Sequence, residues 1–203
     1  MQERHECTVG GRTWWLRTPS VFDTPKVRRL LMKQGVRRPQ QDEFRLVGLA
    51  GIAALGEAAG DPAEAERQQD LLTEWYQVLV PLREDDIDEP DFEKRAAVLA
   101  GMEADRAANV ARLLPEVVAI EAMLLRHWPP YAELMADRNY WDEISGIEIV
   151  RLLLMAEGGT ELPHGPDGML TEAAYAAIPR GDRAALASFA QGLLTPDETT
   201  RKN

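Results

Sequence analysis

The sequence predicts a mainly α protein, an irregular multi-helix bundle with a β-hairpin at its N-terminus. Three observations indicate this fold: a glycine pair between two strand-like runs at the front of the chain, apolar side chains at helical spacing through most of the remainder, and Asp, Thr or Pro where helices would begin. With 203 residues, 45% of them hydrophobic, the chain can bury a sizeable core. We expect a hairpin and connector over residues 1–23, a helical domain over 24–194 and a flexible C-terminal tail over 195–203.

The hairpin is predicted from the stretch CTVGGRTWWLRT, residues 7–18. Gly10 and Gly11 can supply the positive φ angles of a two-residue primed turn. That turn pairs Val9 with Arg12, Cys7 with Trp14 and His5 with Leu16. Since neighbouring side chains of a strand point to opposite faces, only one of the two tryptophans can enter the core. We expect Trp14 to be buried, and Trp15, which lies near Arg12 and Arg17, to meet a partner.

Three amphipathic helices are predicted in the first half of the chain. The first begins at Thr24 and Pro25 and ends at Gly35, and the second runs from Asp42 to Gly56. Asp61 and Pro62 begin the third helix, which ends near residue 81.

The second half is also predicted to be helical, with no further sheet. Residues 91–128 form one long apolar pattern, which Pro115 is expected to break or to bend by more than about 20° near residue 114. A short helix over 131–137 follows, and then a helix over 140–157 that the glycine pair at 158–159 ends. Two short helices, over 171–178 and 182–194, complete the prediction.

Sequence motifs of catalysis or cofactor binding are weak throughout. The three histidines lack metal-ligand spacing, Cys7 lies in a strand without a basic neighbour that would activate it, and neither glycine pair belongs to a phosphate-binding motif. We therefore expect no metal, no cofactor and no enzymatic activity. The single cysteine and the absence of a leader-like or long apolar run favour a cytoplasmic protein without membrane contact.

Charge divides the chain into two regions. Residues 1–40 hold nine Lys or Arg against three Asp or Glu, a balance of +6 that leaves −17 for the remainder of a chain with net charge −11. The acidic stretch at 84–93 is interpreted as a solvated linker, because it lacks the spacing of a calcium loop. The basic stretch at 26–38 could be a solvated face, a protein-docking face or, least favoured, a nucleic-acid contact. The residues expected to bind a partner are Arg12, Trp15, Arg17, Phe22, Arg28, Arg29 and Lys33.

The order TVGGRTWWLRTPSVFD, a glycine-turn hairpin followed by Thr-Pro-Ser, an apolar pair and an Asp that leads into a helix, resembles the N-terminus of tail assembly chaperones of long-tailed bacteriophages. The resemblance covers roughly residues 1–35, and this chain is longer than the smaller members and has a long helical middle. It implies a non-enzymatic protein of the infected host cell's cytoplasm. Such a protein coats the tape-measure protein and keeps its apolar helices soluble until tail-tube subunits displace it.

Two other functions remain open at this stage. A helical virion component, such as a head-to-tail connector or adaptor subunit, could use the basic front and acidic body as complementary sides of a ring contact. A small-molecule enzyme would require a set of nucleophile, base and orienting residues that the sequence does not show. Self-association is compatible with either structural role.

Overall fold

The protein is 69% helical, with an N-terminal antiparallel hairpin, in a computed structural model that describes residues 4–83 and 87–194. The predicted mainly α class is confirmed. The chain divides into two units: unit 1 comprises Met1–Arg38 and Asp137–Asn203, and unit 2 comprises Pro39–Ala136. The predicted tail at 195–203 and the first part of the acidic stretch, 84–86, lie outside the described residues.

Eleven helices and strands follow one another within the described ranges. Their bounds are β1 Arg4–Val9, β2 Arg12–Arg17, α1 Asp23–Lys33, α2 Gln41–Ala59, α3 Pro62–Val78, α4 Phe92–His127, α5 Pro129–Leu153, β3 Leu154–Glu157, β4 Thr160–Glu161, α6 Glu172–Ala177 and α7 Arg180–Leu194.

The N-terminal hairpin has the predicted register. Val9 pairs with Arg12 and Cys7 with Trp14, and the turn places Gly10 at φ 60° and Gly11 at φ 75°. Gly10 also allows a close approach, because a Cβ atom built there would lie 2.5 Å from an Asp182 carboxylate oxygen. The glycine pair therefore sets the turn and lets α7 pack beside it.

A second hairpin extends this sheet and corrects the prediction of a helix over 140–157 with no further sheet. The helix ends at Leu153, and β3 and β4 complete a four-stranded sheet of order β1-β2-β3-β4. Side chains along β3 alternate between buried and half-buried, which is a strand pattern. Gly158 and Gly159, with φ 54° and 89°, connect β3 to β4 instead of simply ending a helix. Apolar spacing alone could not distinguish a short buried strand from a final helical turn.

The core of unit 1 lies between one face of the sheet and the helices of that unit. Trp14 is 1% exposed and Leu16 is fully buried, as predicted for the inner face of the hairpin. Helices α1, α5 and α7 contribute further large side chains, among them Val27, Leu31, Val150, Leu153 and Leu186.

Unit 2 packs α2, α3, the C-terminal half of α4 and the beginning of α5 around a separate core. Its centre includes Ile52, Leu72, Leu113, Leu124 and Tyr131, each at most 1% exposed. The Tyr131 ring meets Phe44 edge-on at 5.6 Å, and its hydroxyl donates a hydrogen bond to Glu121 over 3.1 Å. Asp61 caps α3 as predicted, by accepting a hydrogen bond from the Glu64 N–H.

Three further predictions about where helices end or break are corrected by the structure. Helix α2 continues past Gly56 to Ala59, and the next residue, Gly60, adopts the left-handed conformation typical of a helix end. Helix α4 runs without interruption through Pro115, so the predicted break does not occur, and a bend there stays a prediction. Pro115 is exposed, so water can solvate the carbonyl group that loses its intrahelical partner. The two helices predicted over 131–137 and 140–157 form the single helix α5.

We expect Trp14→Ala to lower the free energy of unfolding by about 3–5 kcal/mol, because it replaces a fully buried large side chain by a small one. The exposed aromatic residue Tyr140 provides the control, and Tyr140→Ala should change stability by less than about 0.5 kcal/mol. Urea denaturation of the purified variants measures both effects. Equal stabilities for the two variants would contradict the assignment of Trp14 to the core.

A matched pair of glycine substitutions tests the packing of unit 2. A Cβ atom at Gly51 would lie 2.7 Å from both a Leu124 methyl and the Trp128 ring, so Gly51→Ala should destabilise by about 1–3 kcal/mol through overpacking. Gly101 has open space around its Cβ position within α4, so Gly101→Ala should stabilise by about 0.5–1 kcal/mol through helix propensity. Thermal denaturation compares the two, and a shift of the same sign in both would refute this packing.

Candidate functional site

Helix α1 is held in unit 1 by its inner face. Val27 and Leu31 are buried in the core, one helical turn apart. At the C-terminal end, Gln34 donates a hydrogen bond over 2.9 Å to Glu148, a buried residue of α5. The opposite face of α1 is therefore directed away from the core of its own unit.

The start of α1 is fixed to the hairpin by a paired and buried carboxylate. Both Asp23 oxygens accept hydrogen bonds from the Arg17 guanidinium, at 2.8 and 2.9 Å, and the Ser20 N–H donates to Asp23 as well. Arg17 also donates to the Leu152 carbonyl at the end of α5. Arg17, which the sequence suggested as a partner contact, thus joins three segments of unit 1.

The pKa of the Asp23 carboxyl reflects this environment. Burial acts to raise that pKa, but the hydrogen bonds and positive charge of Arg17, together with the Ser20 N–H, outweigh burial and lower it below its ordinary value of 3.8. Asp23 is therefore held in its charged form at neutral pH.

The outer face of α1 combines exposed apolar and basic side chains. Val21, Phe22 and Met32 are 84%, 76% and 72% exposed. We define the α1 surface as these three residues with Pro25, Arg28, Arg29 and Lys33, all of them exposed. Residues four positions apart share one side of a helix, so Arg28 lies beside Met32 and Arg29 beside Lys33, while Val21 and Phe22 directly precede the helix.

The cations of the basic stretch differ in how they are engaged. Lys26 donates to the Asp167 carbonyl over 3.1 Å, and Arg38 lies over the Trp141 ring at 4.7 Å. Arg28, Arg29 and Lys33 form no ion pair or hydrogen bond through their side chains with any residue in the described ranges. These three charges are therefore presented to solvent.

The structure separates the hairpin candidates from this surface. Arg12 is exposed and forms an ion pair with Glu157 over 3.0 Å. Trp15 is half-buried. Its partner across the strands, Ala156, lies on the same face of the sheet and is only 1% exposed. Since Trp15 is half-buried in an inner strand, its truncation should cost stability.

Of the seven residues suggested by the sequence, four belong to the α1 surface: Phe22, Arg28, Arg29 and Lys33. The sequence analysis did not single out Val21 and Met32. Met32 follows Arg28 by one helical turn, and this spacing could have indicated it. The exposure of Val21 could not be inferred, because an apolar residue before a helix often packs against the first turn.

The surroundings of His164 and Cys7, two residues that could support chemistry, give them structural roles. His164 lies with one ring nitrogen 2.7 Å from the Leu162 carbonyl oxygen and the other 2.9 Å from that of Leu154. Burial raises the pKa of the Cys7 thiol, which disfavours the reactive thiolate. Within 4–83 and 87–194, no group of three or more His, Cys, Asp or Glu residues is arranged to hold a metal ion.

An open groove of about 920 Å³ lies in unit 1 between α5, α6 and α7. Arg183 lines this groove, donates hydrogen bonds to the carbonyl groups of Ile178 and Ala176, and lies 5.4 Å from the centre of the Tyr175 ring. Burial raises the pKa of Tyr175. In the described part of the chain, no helix combines the length and the apolar character needed to cross a membrane.

Comparison with known proteins adds no assignment. No family model, no curated protein and no solved structure matches the chain.

The Arg17–Asp23 pair predicts a pH dependence of stability. Because the pKa of Asp23 is lower in the folded protein, its stabilising contribution is fully present above pH 3.8, the ordinary value, and is lost as the pH falls through the folded value. Asp23→Asn should cost about 3 kcal/mol at pH 7, since it leaves Arg17 without its charged partner, and the cost should shrink in strong acid.

Urea denaturation of the wild type and Asp23→Asn between pH 7 and pH 2.5 measures this difference. Asp42→Asn changes an exposed carboxylate and is the control. A cost for Asp23→Asn that does not change with pH would contradict the assigned ionisation.

Proposed function

We propose that this protein is a non-enzymatic tail assembly chaperone, which binds the tape-measure protein of a long-tailed bacteriophage through its α1 surface. The observation that carries the proposal is the α1 surface itself: three large apolar side chains and three cations are exposed on α1 and on the two residues before it, and the other face of this helix is fixed to the core. Exposed apolar groups of this kind are typical of protein-binding sites.

A protein helix is the occupant that this chemistry favours. A nucleic-acid phosphate backbone binds cations but makes no contact that requires the apolar Val21, Phe22 and Met32. An amphipathic helix with acidic flanks can contact both the apolar side chains and the cations. The resemblance of residues 8–23 to tail assembly chaperones supports the tape-measure protein as the source of that helix.

The size and charge of the protein suit a reversible chaperone. Helix α1 has eleven residues and is about 16 Å long, so a contact confined to it falls below the roughly 1,200 Å² typical of stable complexes. Tail-tube subunits could therefore displace it. The net charge of −11 would keep the complex soluble while the apolar helices are covered.

Co-expression with a candidate tape-measure protein tests the proposal. Two variants remove the two kinds of contact: Phe22→Ser with Met32→Ser, and Arg28→Glu with Arg29→Glu and Lys33→Glu. Each should lower the soluble fraction of tape-measure protein severalfold and weaken binding by about 2 kcal/mol, or 30-fold, because binding energy concentrates in a few anchors.

Leu46→Ser, which changes a 60% exposed side chain of α2, is the matched control and should behave as the wild type. Circular dichroism confirms that each variant is folded. If both α1 variants fold and still solubilise the tape-measure protein as the wild type does, the proposal is wrong. Detection of the protein in purified virions would instead favour the head-to-tail connector.

A further inference from the structure

Helix α4 carries an apolar seam that is buried in its C-terminal half, and its N-terminal continuation, which Arg106 and Glu103 interrupt, is not buried. Leu113, Val117, Ile120 and Leu124 follow one another at steps of four, three and four residues, and all are buried in the core of unit 2. The same steps continue toward the N-terminus through Val110, Arg106, Glu103, Leu99, Ala96 and Phe92. The N-terminal positions of this seam have the spacing of a helix-packing surface, but none of their side chains is buried.

The exposed part of the seam begins where α3 ends. Helices α3 and α4 are antiparallel, as shown by Arg67 with Glu116, Arg112 with Glu74, and Arg106 donating to the Val78 carbonyl at the end of α3. Residues 92–105 therefore extend past α3 by fourteen residues, about 21 Å of helix. We call this segment the α4 overhang.

The α4 overhang is apolar in its centre and acidic around it. Phe92, Val98 and Met102 are 72%, 45% and 41% exposed. A depression of about 130 Å³ is lined by Phe92, Arg95, Ala96, Leu99, Ala100 and Glu103. From 88 to 105 the chain carries six carboxylates and two cations: Asp88, Glu89, Asp91, Glu93, Glu103 and Asp105 against Lys94 and Arg95. Its chemical complement is a basic amphipathic helix.

The α1 surface is such a helix, and it belongs to the same chain. Its exposed apolar residues and the solvent-facing Arg28, Arg29 and Lys33 match the apolar centre and the acidic rim of the α4 overhang. Its length of about 16 Å fits within the 21 Å of the overhang. We propose that the α1 surface of one copy docks on the α4 overhang of a second copy.

Two properties follow from this pairing. The contact joins two different surfaces, so it is heterologous, and each copy has one donor and one acceptor surface. Its small area and charged rim make it weak and sensitive to salt. The inference shares the α1 surface with the proposed function but does not require the tape-measure protein. If both contacts form, a second copy and the tape-measure protein compete for α1.

Sedimentation velocity of the full chain tests self-association. In about 50 mM salt the average mass should rise above the 22.7 kDa of one chain as the concentration approaches 100 µM, and about 500 mM salt should restore the monomer by screening. A monomer under both conditions overturns the proposal.

Charge exchange identifies the surfaces. The α1 variant carries Arg28→Glu, Arg29→Glu and Lys33→Glu, and the α4 variant carries Glu93→Lys, Glu103→Lys and Asp105→Lys. Each variant alone should associate at least tenfold more weakly than the wild type, because like charges then meet. Their equimolar mixture should regain association, since the acidic α1 of one variant meets the basic overhang of the other and the native pairing also remains available between them.

The control variant Glu57→Lys, Glu66→Lys and Asp70→Lys changes three exposed carboxylates elsewhere in unit 2 and should associate at least as strongly as the wild type. Failure of the folded variants to associate when mixed, or equal weakening by the control, overturns the proposal. The α4 variant keeps its α1 surface, so its ability to solubilise the tape-measure protein tests the proposed function separately.

Discussion

Strand β2 is hydrogen-bonded along both of its edges, and unit 1 depends on this double pairing. The hairpin with β1 is local and would be marginal in water by itself. Pairing with β3 covers the second edge of β2 and brings the far end of α5 against Leu16, which pairs with Leu154. With β2 held between two neighbours, Trp14 has a rigid core to enter, and Arg17 reaches both Asp23 and the Leu152 carbonyl.

The position of α1 follows from that arrangement. The Arg17–Asp23 pair fixes the first turn, the buried Val27 and Leu31 fix the inner face, and the remaining circumference of a short helix has nothing in unit 1 to cover it. Basic residues on that outer side stand out in a chain whose other regions are acidic. Helix α4 shows the complementary case, an uncovered seam with an acidic surround. Exposed apolar residues and opposite charges are thus distributed between two separate helices.

Local signals predicted much of this structure. The glycine pair and strand alternation gave the hairpin register residue by residue, and Asp61 and Asp91 marked true helix starts because their side chains cap free N–H groups. Features that depend on distant partners were missed. Leu154–Glu157 is a strand because β2 offers it a free edge, and Trp15 is half-buried for the same reason. Pro115 fits inside α4 because its turn faces water, and the burial of Asp23 required knowledge of where Arg17 lies.

The order of segments in unit 1 has a consequence for synthesis on the ribosome. Unit 2 lies in the sequence between the two parts of unit 1, so the hairpin emerges before unit 2, and about 140 further residues are synthesised before its partner strand β3 leaves the exit tunnel. Unit 2 can fold during that interval, because its contacts lie within one continuous segment. Throughout the interval, Trp14, Leu16 and one edge of β2 lack their final cover, and this nascent stage is when the chain is most exposed to aggregation.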